Sequence, residues 1–185
     1  MIDITRIFAL LSVVGSMRDP YDDGHESRVS ILCSRLAAKI NMSAGDLYTL
    51  MVASRLHDIG KMVLPESYIH KARLSKAEMA MIRNHVNFGE HITSELRLED
   101  DRIPRVIRQH HENWDGSGYM DGIAGEAIDI GARIIRIVDS WDAITSDRVY
   151  HKKLGKVEAR NELMRYSGQW YDPRILKSFW EVIDG

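Results

Sequence analysis

His57 and Asp58 stand side by side in Leu56-His57-Asp58-Ile59-Gly60-Lys61, and this pair sets the chemistry the rest of the chain has to serve. An imidazole next to a carboxylate offers one nitrogen and one oxygen ligand within a single turn, and Asp58 keeps a second oxygen for a neighbouring ion. Lys61 follows three residues later, past a glycine that loosens the backbone, so its ammonium can reach a phosphate held at the same ions. A lone His-Asp pair is more often a hydrogen-bonded pair at a helix end, so it gains meaning only in company. That company is His25, His85, His110, His111 and Asp139, each placed by helical spacing on an inward stripe or at a helix end. Any one of these histidines alone reads as a satisfied core residue; five of them with two aspartates in one small domain do not. Asp139 sits inside the apolar run Ile134, Ile135, Val138, Trp141 and Ile144. Isolated there, its charge would cost roughly several kcal/mol, and a nearby cation removes the difficulty.

The periodicity predicts the elements that must carry these residues. Ile4, Ile7, Phe8, Leu11 and Val14 give a first amphipathic helix over residues 3–17, ended by Asp19-Pro20. A second starts at His25 and aligns Val29, Leu32 and Leu36, with Cys33 among them as a small buried residue. Ser43 and Asp46 match a capping box for a third, whose stripe Leu47, Leu50, Ser54 and His57 delivers His57-Asp58 at its end. After a second capping-box match at Ser75 and Glu78, Met79, Ile82 and Val86 line a face that His85 adjoins, and residues 88–96 read as a separate helix after Asn87. Ile103, Val106, Ile107, His110 and His111 fall at i, i+3, i+4, i+7 and i+8, so both histidines continue an apolar face. A glycine-rich irregular stretch follows directly, with Gly116, Gly118, Gly122 and Gly125 and with Gly131 just beyond; long loops of this kind are functional or disordered. The helix around Asp139 is apolar nearly all round and should be central, with Trp141 a core residue. Residues 157–166 and the face Ile175, Leu176, Phe179, Trp180 and Ile183 supply the last two helices. No strand alternation persists, so the fold class is all-α.

The 185 residues suffice for one domain with a sizeable core, and 28% charged with 44% hydrophobic residues excludes a disordered chain. A formal net charge of -2 gives no global attraction to DNA or RNA, so phosphate binding must be local. One cysteine excludes a disulfide framework and a cysteine-rich zinc site. No apolar run approaches the ~20 residues of a membrane span, and the expected location is cytoplasmic.

Collected, these motifs resemble the HD-GYP family, a branch of the HD-domain metal-dependent phosphohydrolases. His25, His57-Asp58 and Asp139 match the general HD pattern. His85-Val86-Asn87-Phe88-Gly89 and His110-His111-Glu112-Asn113-Trp114-Asp115-Gly116-Ser117-Gly118-Tyr119 match the branch, as do Gly131-Ala132-Arg133-Ile134 and the run from Asp139-Ser140-Trp141-Asp142 to Arg148. The resemblance implies a compact helical bundle over residues 25–185, preceded by a helix and lead-in over 1–24. It implies hydrolysis of cyclic di-GMP, to pGpG with or without a second step to GMP, by water activated at two divalent ions, iron or manganese, which zinc or nickel can replace in a crystal. Asp58 would be shared, with His25, His57 and Asp139 completing one ion and His85, His110 and His111 the other; imidazole with carboxylate suits such metals better than calcium or magnesium. Asp58 and Lys61 take catalytic roles, and Asp142 and Arg148 contact substrate. A third ion in the family goes with a Glu one turn before the first His, where this chain has Tyr21, so two ions are expected. Diguanylate cyclase (GGDEF) domains are the protein partners the family suggests.

Two departures bear on function. The family's Gly-Tyr-Pro is Gly118-Tyr119-Met120 here, and the basic position three after Arg148 is His151, followed by Lys152 and Lys153. They keep open a second reading, a catalytically weak cyclic-dinucleotide sensor or interaction module. His70 and His91 lack any motif context and read as surface or structural.

Overall fold

The computed structural model describes residues 8, 24–69, 71, 73–146 and 153–185. The expected helix over 3–17, apart from Phe8, lies outside them, as do Tyr21, His70, Arg148, His151 and Lys152. Among the described residues the architecture is all-helical, without a named strand; Ser167 and Tyr171 form one isolated bridge. No described helix is long and apolar enough to cross a membrane.

Helix α1 (His25–Lys39) and α2 (Ala44–Leu56) pack together, joined by a turn with Asn41 at φ 54°. A 3-10 turn (Ile59–Val63) and the short α3 (Glu66–Ile69) lead to α4 (Lys76–Arg83) and α5 (His85–Glu95). Helix α6 (Ile103–Gln109) is followed by the long loop with one 3-10 turn (Gly125–Ala127), then α7 (Ile130–Thr145), α8 (Lys156–Arg165) and α9 (Pro173–Asp184). Helix α7 is central as expected, packed on α1, α2, α6, α8 and α9. Its Ile134, Ile135, Ile137 and Val138 are fully buried, and Trp141 meets Phe179 and Trp180 edge-on at 5.7 Å each. Cys33 is buried in the core, and the expected face of α9 is the one buried, with Ile183 only partly covered.

Three local expectations change. The Ser43 cap is one-sided: Ser43 accepts from the Asp46 amide, but the Asp46 carboxylate turns to the Ser43 hydroxyl and to Arg102. Aspartate lacks the reach that lets Glu78 close the full capping box with Ser75 at α4. Helix α4 buries none of its residues, with Met79 and Met81 39% and 44% exposed, and the chain breaks at Asn84 so that α5 starts at His85, three residues earlier than read from sequence. Finally, Gly60 is required by packing. A Cβ there would lie 1.9 Å from the His85 carbonyl oxygen and 2.6 Å from the Gly89 amide, so only glycine lets the 3-10 turn press against α5.

Candidate metal centre

The last carbonyls of a helix have no partner within it, and three histidines use that fact. His57 caps α2, His85 follows the end of α4, and His110 caps α6. Their Nδ1 atoms donate to the carbonyls of Ser54 (2.9 Å), Ile82 (2.7 Å) and Ile107 (2.6 Å), each three residues back. A carbonyl can only accept, so Nδ1 carries the proton in all three rings and Nε2 is left as a lone pair pointing inward. His25 opens α1 and sets its Nδ1 2.7 Å from Asp142 Oδ2.

These rings and two aspartates converge. Ligand atoms of Asp58, His85, His110 and His111 lie within 4.8 Å of one another, and so do those of His25, His57 and Asp58; Asp58 belongs to both groups. Asp139 joins the second group, its Oδ1 3.2 Å from His25 Nε2 and 3.9 Å from His57 Nε2. His57 and His110 are completely buried and His85 nearly so, while the Asp58 and Asp139 side chains keep 13% and 17% exposure, which marks the open side. All seven residues singled out in the sequence are therefore neighbours.

The electrostatics fit a divalent cation. His85 Nε2 and His110 Nε2 face each other at 3.4 Å, two acceptors with no donor between them, and His57 Nε2 has no hydrogen-bond partner among the described residues. Burial lowers the His57 pKa against the pull of Asp58 and Asp139. Burial, reinforced by the neighbouring imidazoles of His111, His57 and His85, holds His110 well below the usual histidine range, and burial brings His111 down to about 3. These neutral rings are ready ligands. Burial opposes charge on Asp58, but the Lys61 ammonium beside it outweighs that and keeps the carboxylate ionised; Asp139 is likewise held low, despite burial, by His25. His25 differs: burial opposes its charge, yet Asp139 and Asp142 raise its pKa to about 10. Buried neutral imidazoles around two ionised carboxylates form the donor set that intermediate divalent metals prefer.

The remaining expected positions are placed as follows. Lys61 sets its ammonium 2.5 Å from Asp58 Oδ2 with its side chain 40% exposed. Asp142 is buried, and both its oxygens are engaged, by His25 and by the Arg28 fork at 2.7 and 3.0 Å. That arrangement suits an orienting role toward His25 more than the expected substrate contact. Arg148 lies outside the described residues, and His91 is exposed. In the loop, the Tyr119 ring stacks on His111 at 4.9 Å with Arg83 above it at 5.1 Å, and Met120 is 39% exposed. Gly118 is needed where it is: a Cβ would meet the Asn113 amide at 2.3 Å. Sequence reading passed over Arg28, which holds Asp142, and Glu112, whose buried carboxylate accepts from the amides of Asp121 and Gly122 and pins the loop. One signal was there: Arg28 is one turn from His25, as Asp142 is from Asp139, so both pairs share a helix face.

Comparison with known proteins agrees with this geometry. A family model described as "HD domain" matches residues 10–175. A 3'3'-cGAMP-specific phosphodiesterase 2 of Vibrio cholerae is 33% identical over 162 residues, 86% of this chain and 31% of that one. A cyclic di-GMP phosphodiesterase of Thermotoga maritima is 31% identical over 178 residues, 95% of this chain and 48% of that one. The chain thus spans less than half the length of these curated relatives. In fold, it is similar to the solved HDG"Y"P protein Bd1817 of Bdellovibrio bacteriovorus, with a TM-score of 0.71 at 21% identity, over 87% of this chain and 52% of that one. The helical bundle, the His57-Asp58 pair at its centre and the matched span together show that the chain belongs to the HD-domain family.

Proposed function

We propose that the chain is a metal-dependent phosphodiesterase that hydrolyses cyclic di-GMP, with pGpG as first product. The observation that carries this reading is Asp58 shared between two ligand groups, an arrangement suited to two adjacent ions. Its HD-GYP motifs and its likeness to phosphodiesterases of cyclic dinucleotides support the substrate class. His25, His57, Asp58 and Asp139 would hold one ion, and Asp58, His85, His110 and His111 the other, iron or manganese by donor type. Bound there, such ions supply a water that is deprotonated near neutral pH and a Lewis acid for the phosphoryl oxygens.

The protein's own groups do the rest. The Ser54, Ile82 and Ile107 carbonyls fix three imidazoles in one tautomer, and Asp142, steadied by Arg28, does the same for His25. Lys61, at the partly open edge beside Asp58, would hold a non-bridging oxygen as negative charge develops on it. Arg148 is assigned to the substrate by motif alone. The exposed Met120 tip of the loop is the surface assigned to a GGDEF partner.

The test is product chromatography with protein loaded anaerobically with Mn or Fe, beside Asp58→Ala. Linear pGpG from the wild type is expected, with turnover and metal retention both lost in the variant by elemental analysis. Tight binding of cyclic di-GMP without any linear product would favour the sensor reading, and a variant that still holds two ions would contradict a shared Asp58.

A further inference from the structure

Arg136 lies on α7 one turn before Asp139 and is half-buried. Its Nε and Nη2 both donate to Asn113 Oδ1 at 3.1 Å, and its Nη1 donates to the Ser140 hydroxyl at 2.9 Å. Its flat face lies over the rings of Trp170 at 5.4 Å and Tyr171 at 5.6 Å. All these partners are neutral. By contrast, Arg28, Arg102, Arg108 and Arg133, at comparable depth, each meet a carboxylate: Asp142, Asp100, Glu90 and Asp172 respectively. A guanidinium partly withdrawn from water and matched only by neutral oxygens is a charge waiting for an anion. Among the described residues, three of its five N–H groups are used and two remain.

The position is close to the metal centre on one side. Asn113 is two residues from His111, Ser140 adjoins Asp139, and Tyr119 stacks on His111. The Arg136 charge is felt at both His111 and Tyr119. His111, Tyr119, Ser140 and Trp170 are all half-buried, so this flank is partly open. A cyclic dinucleotide carries two phosphodiesters, and only one can occupy the metal centre at a time.

We infer that Arg136 is a specificity-determining residue that receives the second phosphodiester of a cyclic dinucleotide while the first is held at the metals. The inference rests on the phosphodiesterase reading and deepens it. It means that selection for cyclic dinucleotides over single diesters comes from a cation beside the metal ligands, held in place by Asn113 and Ser140.

Steady-state kinetics of the Mn-loaded protein test it, with cyclic di-GMP and the single diester bis(p-nitrophenyl) phosphate as substrates. Arg136→Gln should raise KM for cyclic di-GMP by about 10- to 100-fold, as expected for a lost hydrogen bond to a charged group, with a much smaller change in kcat. The loss in kcat/KM should be at least about tenfold larger for cyclic di-GMP than for the single diester. Arg136→Lys, which keeps the charge without the fork, should recover most of the KM. Equal losses on both substrates, or a lysine variant as impaired as the glutamine one, would make Arg136 a loop clamp and overturn the inference. If Arg136→Gln does not fold, as judged by its thermal midpoint, Arg136→Lys decides by the same comparison: a fall in kcat on both substrates overturns the inference, and a near-native KM upholds it. Wild-type protein that cleaves no cyclic dinucleotide removes the proposed function itself; cleavage that ignores the Arg136 variants removes this inference alone.

Discussion

At the metal centre, a histidine's useful end is decided by what holds its other end. His57, His85 and His110 are each turned by a carbonyl one turn back, and His25 by Asp142, so no ring has to choose its tautomer when a metal arrives. Asp142→Asn tests this. An amide can still accept from His25 Nδ1, but it loses the charge that Arg28 and His25 hold down to about 2 against burial. The expected result is about 10- to 100-fold weaker metal binding by competition titration, with an unchanged helical circular dichroism spectrum. That these seven residues are neighbours was legible in the sequence because metal-type side chains are few and most of these fall at helix ends. The groups that orient them were not, since a backbone carbonyl has no sequence identity and Arg28 and Arg136 look like any surface arginine until their partners arrive from 114 and 23 positions away.

Helices deliver these side chains only if the connections between them hold to tight tolerances. Gly60 brings the turn after Asp58 into backbone contact with the start of α5, and thereby sets His85 Nε2 3.3 Å from Asp58 Oδ1. Gly60→Ala should therefore push α5 away. We expect a stability loss of about 1–3 kcal/mol by denaturant titration, as for overpacked cores, together with loss of tight metal binding. Among the described residues the longer helices followed from periodicity, whereas the short α3 and the break at Asn84 did not. Met79, Ile82 and Val86 keep helical spacing across it, and the fold overrides that pattern by starting α5 at His85 and leaving Met79 on the surface.

The molecule as a whole is also tied together by Asp172, which caps α9 through the Arg174 amide and pairs with Arg133 of α7 at 2.8 Å. Burial raises its pKa but Arg174 and Arg133 outweigh that, so the folded value lies below the unfolded one. A carboxylate of this kind contributes stability above its unfolded pKa of about 3.9, and the contribution is lost as pH falls through the lower folded value. Asp172→Asn, whose amide oxygen can still cap α9, should cost about 3 kcal/mol at neutral pH by denaturant titration, from the broken buried pair with Arg133, and the gap to wild type should narrow as pH falls below about 4. Chelation tests the metal centre: at a free-metal level about a hundredfold above Kd, stripping bound metal should lower the thermal midpoint by about 5–10 °C. Outright unfolding is not expected, because the stripped centre carries its own counter-charges. His25, protonated up to about pH 10, sits between Asp139 and Asp142, and the Lys61 ammonium sits on Asp58. An arriving dication would therefore have to displace the His25 proton and draw Asp58 away from Lys61, so loading the protein with metal in unbuffered solution is expected to release acid.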